Sequence, residues 1–243
     1  MLTLNSVLLK HKHVAAYNIK DMPGYSGDAG PFQINNDKDP AIVRPRRHSP
    51  RDQAFASAKV AEMVEGHIVR ESHSKRYACE FTGAAKKDEV GDWSDLRFCN
   101  DFRPMNEVTP LDKYPLPHPE DIFNELGDSR YFSKMDLRAG FNQIPMAEED
   151  IEKTSFYCNG RKYEYLRMPF GLKNAPIHFQ RIMDHELEKH GLRGFCRCFI
   201  DDLIIYSKTP EEHIEHVTQV LAMLDSCDLR SVSYTHLTLP TNR

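Results

Sequence analysis

The chain has 243 residues, 40% hydrophobic and 28% charged, with a formal net charge of −4. That length suits one large or two small domains with a real core, and the balance excludes a globally basic nucleic-acid binder. No apolar run approaches the roughly 20 residues of a membrane-spanning helix. Six cysteines without a Cys-x-x-Cys pair, and no signal peptide, read as reduced thiols of an intracellular, cytoplasmic protein.

Along the chain, residues 1–43 are mixed, and Pro23, Gly24, Gly27, Gly30 and Pro31 break the stretch 21–40 into a linker or extended arm. Ser49-Pro50 opens a helix running to about Gly66, with Ser as N-cap and Pro in the first turn. Residues 44–87 carry ten Lys/Arg against five acids, a local basic patch suited to phosphate. Residues 77–103 read as two strands joined by the polar loop Lys86–Asp95, and four prolines keep 108–119 extended before a short helix at Pro119–Leu126. Tyr131–Asp136 is a strand ending on a carboxylate. Thr154–Cys158 and Lys162–Leu166 flank Asn159-Gly160, a strong hairpin signal. A helix over Asn174–His190 follows, then strands Phe195–Ile200 and Leu203–Ser207, then an amphipathic helix over Pro210–Asp225. His213 and His216 share that helix and read as surface histidines. Cys196 and Cys198 share one strand face, but no partner pair has zinc-ligand spacing. The order from 119 onward predicts an α+β domain, with helices on one face of an antiparallel sheet.

The chemistry concentrates at Cys198-Phe199-Ile200-Asp201-Asp202-Leu203-Ile204-Ile205-Tyr206. Two adjacent carboxylates sit at the bend between two apolar strands, where their repulsion calls for a positive partner. A divalent cation is the simplest one, since hard cations take carboxylate oxygens. If the strand ending at Asp136 neighbours this hairpin, three acids converge at one sheet edge. Successive strand residues face opposite ways, so Asp201 and Asp202 are not equivalent.

Three ordered stretches carry a resemblance: Tyr131-Phe132-Ser133-Lys134-Met135-Asp136-Leu137-Arg138-Ala139-Gly140-Phe141, Met168-Pro169-Phe170-Gly171-Leu172-Lys173-Asn174-Ala175-Pro176, and Phe199-Ile200-Asp201-Asp202. Together they resemble a reverse transcriptase, more narrowly that of the gypsy-type LTR retrotransposons. Arg97-Phe98-Cys99-Asn100-Asp101-Phe102-Arg103-Pro104-Met105-Asn106 and Tyr114-Pro115-Leu116-Pro117 match the same family, and the resemblance spans roughly residues 8–230. It implies the fingers and palm of a right-hand polymerase with the thumb absent: an N-terminal arm over 1–43, fingers over 44–113, and palm over 114–230 with a fingers segment inserted around 142–176. Implied metal ligands are Asp136 and Asp201, with Asp202 supporting and the Leu137 carbonyl completing a shell, for two Mg2+ ions with Mn2+ as a substitute. Lys86, Lys87, Arg97, Arg138, Ala139, Phe141, Phe170 and Gly171 are the implied nucleotide contacts. Phe141 stands at the steric gate that would crowd a 2′-hydroxyl. Asn174, Pro176 and Phe199 are the implied template-primer contacts. The implied partners are an RNA or DNA template with its primer and deoxynucleoside triphosphates, with no membrane.

Three departures stand out. Phe199 replaces the commoner Tyr. The fingers loop adds Asp88, Glu89, Asp92 and Asp95, which weakens the Lys86/Lys87 assignment more than that of Arg97. Residues 231–243 resemble the translation of a transposase adapter used in DNA sequencing libraries, and are expected to be a non-native tail to be left out of fold reasoning. An RNA-directed DNA polymerase is therefore expected, with poor processive synthesis from these 243 residues in the absence of a thumb. The alternative is an inactive retrotransposon remnant that at most binds nucleic acid. Phe141 argues against a palm polymerase that makes RNA.

Overall fold

The structure is a computed structural model that describes residues 4–41, 43, 45–87 and 93–238. In chain order its elements are α1 (Leu4–Lys10), α2 (Pro50–Glu65), β1 (Val69–Glu71), β2 (Cys79–Lys87), β3 (Trp93–Asn100), α3 (Arg103–Glu107) and α4 (Pro119–Leu126). There follow β4 (Tyr131–Leu137), β5 (Phe156–Cys158), β6 (Arg161–Tyr165), α5 (Ala175–Lys189), β7 (Cys196–Phe199), β8 (Asp202–Ser207), α6 (Pro210–Ser226) and β9 (Ser231–Thr238). They form two compact units, one of residues 1–30, 113–143 and 176–243, the other of 31–112 and 144–175.

The first unit is built on an antiparallel sheet in the order β7-β8-β4-β9. Its strands alternate as half-buried strands must. In β4, Ser133, Met135 and Leu137 point inward while Lys134 and Asp136 point outward. Cys196 and Cys198 of β7 and Leu203 and Ile205 of β8 complete the inner face. Helix α6 covers it with Val217, Val220, Leu221 and Leu224, each side chain worth about 1.5–3 kcal/mol on full burial. The start of α6 is set by a capping box: Thr209 Oγ1 accepts from the Glu212 N–H at 3.3 Å, and Glu212 Oε2 accepts from the Thr209 N–H at 3.3 Å.

His213 corrects the surface reading. It lies on the same helical stripe as Val217, Val220 and Leu224 and is buried with them. Its Nε2 hydrogen-bonds Ser133 Oγ of β4 at 2.7 Å and its Nδ1 hydrogen-bonds Ser207 Oγ of β8 at 2.9 Å. His216 Nδ1 reaches the same Ser207 hydroxyl at 2.8 Å, and its ring stacks on Phe195 at 3.7 Å. One imidazole thus ties β4 to β8. His213→Ala should strip a partner from two inward serines and cost about 2–4 kcal/mol, read as a lower midpoint in urea. Burial, then the nearby His216, lowers the His213 pKa below its ordinary 6.5. Its contribution is therefore present above that value and lost as pH falls through the lowered one, a dependence the variant should lack.

The second unit has a five-stranded sheet in the order β1-β6-β5-β2-β3. Only the β2–β5 pairing is parallel. The hairpin β5–β6 belongs here. Asn159 at φ +48° and Gly160 at φ +77° make its turn, which needs two left-handed residues. Phe81 and Phe156 form the centre of this core. Helix α2 begins where Ser49 Oγ accepts from the Asp52 N–H at 3.1 Å.

The 21–40 stretch is not a free linker: Met22 and Tyr25 are buried in the first unit, Phe32 and Ile34 in the second. The Ile34 N–H also donates to Asp150 Oδ2 at 2.7 Å. Ser231–Thr238 pairs antiparallel with β4 as β9. Ladder pairing uses main-chain groups, and β4 offers this strand an open edge.

Candidate active site

Strands β4 and β8 are antiparallel neighbours, and their register sets Asp136 directly opposite Asp202. Asp201 sits in the β7–β8 turn, where its carbonyl accepts from the Leu137 N–H at 3.3 Å. The three acids expected to converge therefore do so at one end of one sheet. They are not equivalent: Asp202 is ion-paired to Lys134 Nζ at 2.9 Å, a partner the motif reading passed over. Period-two alternation places Lys134 and Asp136 on the same outward face. Burial, then the charges of Asp201 and Asp202, raise the Asp136 pKa, while Lys134 opposes the shift. The pair with Asp202 correspondingly raises the Lys134 pKa.

The turn is held under strain. Ile200 adopts φ +57°, a left-handed conformation that is costly for a β-branched residue. The fully buried Gln180 of α5 spans it: Oε1 accepts from the Ile200 N–H at 2.8 Å and Nε2 donates to the Cys198 carbonyl at 3.0 Å. Opposite, a Cβ on Gly140 would come within 3.2 Å of the Phe179 ring and 3.4 Å of Asp201 Cβ. Glycine there lets the post-β4 turn approach Asp201 closely. The buried Gln143 closes that turn, donating to the carbonyls of Arg138 and Arg230, both at 2.8 Å, and accepting from the Arg230 N–H at 2.7 Å. Neither glutamine was singled out from sequence. Each acts on main chain distant in sequence, so no local pattern marks it.

A family model described as reverse transcriptase (RNA-dependent DNA polymerase) matches residues 85–231, a span that holds all three carboxylates. The chain belongs to the reverse transcriptase family. The Retrovirus-related Pol polyprotein from transposon 297 of Drosophila melanogaster is 40% identical over 172 residues, 71% of this chain and 16% of that protein. The corresponding polyprotein from transposon gypsy of the same organism is 36% identical over 176 residues, 72% of this chain and 17% of that protein. The chain thus spans about a sixth of the curated relatives it matches. Among solved structures, the foamy viral protease-reverse transcriptase in complex with RNA/DNA hybrid aligns with a TM-score of 0.84 and 19% identity. That alignment covers 96% of this chain and 30% of the other. The fold is that of reverse transcriptase fingers and palm.

The remaining expected contacts of this reverse transcriptase domain divide by unit. In the first, Phe141 is 8% exposed, with its ring centroid 5.6 Å from that of Phe179. Arg138 donates from Nη2 to the Tyr17 carbonyl at 3.1 Å, and Ala139 turns the chain at φ +44°. Half-buried Phe199 ends β7 in register with Asp202, and half-buried Pro176 lies in the first turn of α5. In the second unit, Phe170 is 49% exposed beside Gly171 at φ +96°. The Gly171 carbonyl accepts from Asn106 Nδ2 at 2.7 Å. The Asn174 amide is engaged with main chain, accepting from the Asp112 N–H at 3.1 Å and donating to the Pro110 carbonyl at 2.8 Å. The side chains of Lys86, Lys87 and Arg97, and the loop 88–92, lie outside the described residues.

Proposed function

We propose that this chain is the fingers-and-palm part of an RNA-directed DNA polymerase that adds deoxynucleotides to a primer by a two-metal mechanism. The observation that carries the reading is the β4–β8 register, which brings Asp136 and Asp202 face to face beside Asp201. Three carboxylates with one lysine among them fit a pair of divalent cations, Mg2+ foremost and Mn2+ as substitute, because Mg2+ binds through a few carboxylates plus substrate phosphates. Asp136 and Asp201 would be the principal ligands, with Asp202 supporting them and the Leu137 carbonyl available to complete a shell. When bound, such ions lower the pKa of the attacking hydroxyl and neutralise charge on the leaving group. The primer 3′-hydroxyl gives up its proton to solvent as its oxygen bonds to the α-phosphorus, the bond from that phosphorus to the bridging oxygen breaks, and pyrophosphate leaves. Lys134 holds Asp202 in place, and the Gln180 clamp fixes the turn that carries Asp201.

Lys86, Lys87 and Arg97 are assigned to the triphosphate, with Arg138, Ala139, Phe170 and Gly171 shaping the nucleotide site. Phe141 is assigned to discrimination against a 2′-hydroxyl. Asn174, Pro176 and Phe199 are assigned to the template-primer, Asn174 by ordering the main chain it binds. The RNA/DNA hybrid bound by the foamy viral relative supports a nucleic-acid partner of this class.

Single-nucleotide addition to a DNA primer on an RNA template tests the reading. Addition with Mg2+, abolished by chelator and favouring deoxynucleotides, is expected. Template binding without addition at any metal concentration would contradict it and favour an inactive remnant.

A further inference from the structure

Away from the carboxylates of the sheet edge, the first unit holds a second group of metal-type donors. Asp28, in the loop before Gly30, and His185 and Glu186, consecutive on α5, each place one donor atom within 4.8 Å of the others. Asp28 Oδ1 hydrogen-bonds His185 Nε2 at 2.8 Å. The Glu186 side chain is 0% exposed. Its Oε1 accepts from the Tyr25 hydroxyl at 2.6 Å, but its Oε2 has no hydrogen-bond partner among the described residues. His190 Nε2 lies 3.6 Å from that oxygen. A buried carboxylate oxygen left bare costs more than one that is paired or coordinated. The loop is shaped to this carboxylate, since a Cβ on Gly27 would collide with Glu186 Oε1 and with the Tyr25 hydroxyl.

We propose that Asp28, His185 and Glu186 form a structural Zn2+ site that fastens the 24–30 loop to α5. The donor set selects the ion: an imidazole with two carboxylates suits a first-row transition metal, whereas Mg2+ and Ca2+ prefer oxygen alone. Zinc bonds of about 2.0–2.1 Å at tetrahedral angles place donors about 3.3 Å apart, within reach of the observed spacing by small side-chain shifts. His190, with Nε2 3.6 Å from Glu186 Oε2, is a candidate for a fourth position. Lys189 Nζ, 3.0 Å from Asp28 Oδ1, supplies positive charge there now and swings out when the ion binds.

Zn2+ titrated into the whole chain by calorimetry, with Co2+ absorption as a probe of geometry, tests this. One ion per chain whose binding D28N and H185A weaken and D201N does not is expected, over and above any taken by the Asp136, Asp201 and Asp202 carboxylates, with a Co2+ spectrum of tetrahedral nitrogen-oxygen ligation and a raised Tm. Asp28 and His185 are both solvent-exposed, so D28N and H185A should fold normally, and each should weaken Zn2+ binding at least about 10-fold. D201N should leave it unchanged, which separates this site from the proposed polymerase metals. Absence of stoichiometric binding, retention of affinity in H185A, or loss in D201N would each overturn the proposal.

Discussion

Asp136→Asn is expected to abolish metal-dependent nucleotide addition while leaving the metal-free fold slightly more stable. The loss should be about 10²–10³-fold or more, the scale for removing a charge that stabilises a transition state. The stability gain follows from the same geometry. Asp136 faces Asp202 across the ladder and stands beside Asp201, and burial together with those charges raises its pKa. For an acid whose folded pKa is raised, ionisation opposes folding. Its stabilising contribution is present below the unfolded pKa and lost as pH rises through the raised value. At neutral pH the repulsion is therefore in force, and an amide removes it. Like charges directly opposite on a sheet cost about 0.2–1 kcal/mol, so a Tm rise of about 1–3 °C is expected without metal. Excess Mg2+ should reverse the order, stabilising the parent and not the variant. Lower stability of the variant without metal would mean that Asp136 serves the fold rather than the site.

Gln180→Leu is expected to damage both stability and activity, although Gln180 carries no charge and touches none of the three carboxylates in the hydrogen-bond network described above. Its amide satisfies the Ile200 N–H and the Cys198 carbonyl, and a leucine of similar size fills the space while leaving both without that partner. Two main-chain groups stripped of that partner, one buried and one half-buried, cost about 2–4 kcal/mol, a fall in Tm of about 5–12 °C for a chain of this size. Ile200 would also lose the contact that holds φ at +57°, and relaxing it moves the adjacent Asp201. Activity at a temperature where the variant is folded should fall about 10–100-fold, as when support behind metal ligands is removed. Ile200→Gly separates the two effects. Glycine accepts the left-handed conformation without strain, so I200G should keep the turn with Gln180 intact and retain far more activity than Q180L. Equal activity in Q180L and the parent would show that the turn holds itself.

The site was legible where its determinants are local. Asp136 closes an alternating strand, Asp201 and Asp202 interrupt a hairpin, and those patterns placed β4, β7 and β8 to within a residue or two. Helices α2, α4, α5 and α6 were legible from caps, prolines and periodicity for the same reason. The missed features depend on partners distant in the chain. Lys134 matters because β8 brings Asp202 beside it, and Gln143 and Gln180 matter because of carbonyls and N–H groups on other segments. His213 was within reach: it falls on the apolar stripe of α6, but a polar residue type suggested the surface. The three-residue strand β1 is too short to show a period, and β9 exists because β4 offers it an edge.

Counting coupled metal ions tests the central claim most directly. Mn2+ titrated into the chain with a primed RNA template and a non-reactive deoxynucleotide analogue should give the resonance signature of a spin-coupled pair. Its separation should be about 3.5–4 Å, as in two-metal sites, and the signature should disappear in Asp136→Asn. A single uncoupled ion, or a coupled pair that survives loss of the Asp136 carboxylate, would contradict the account.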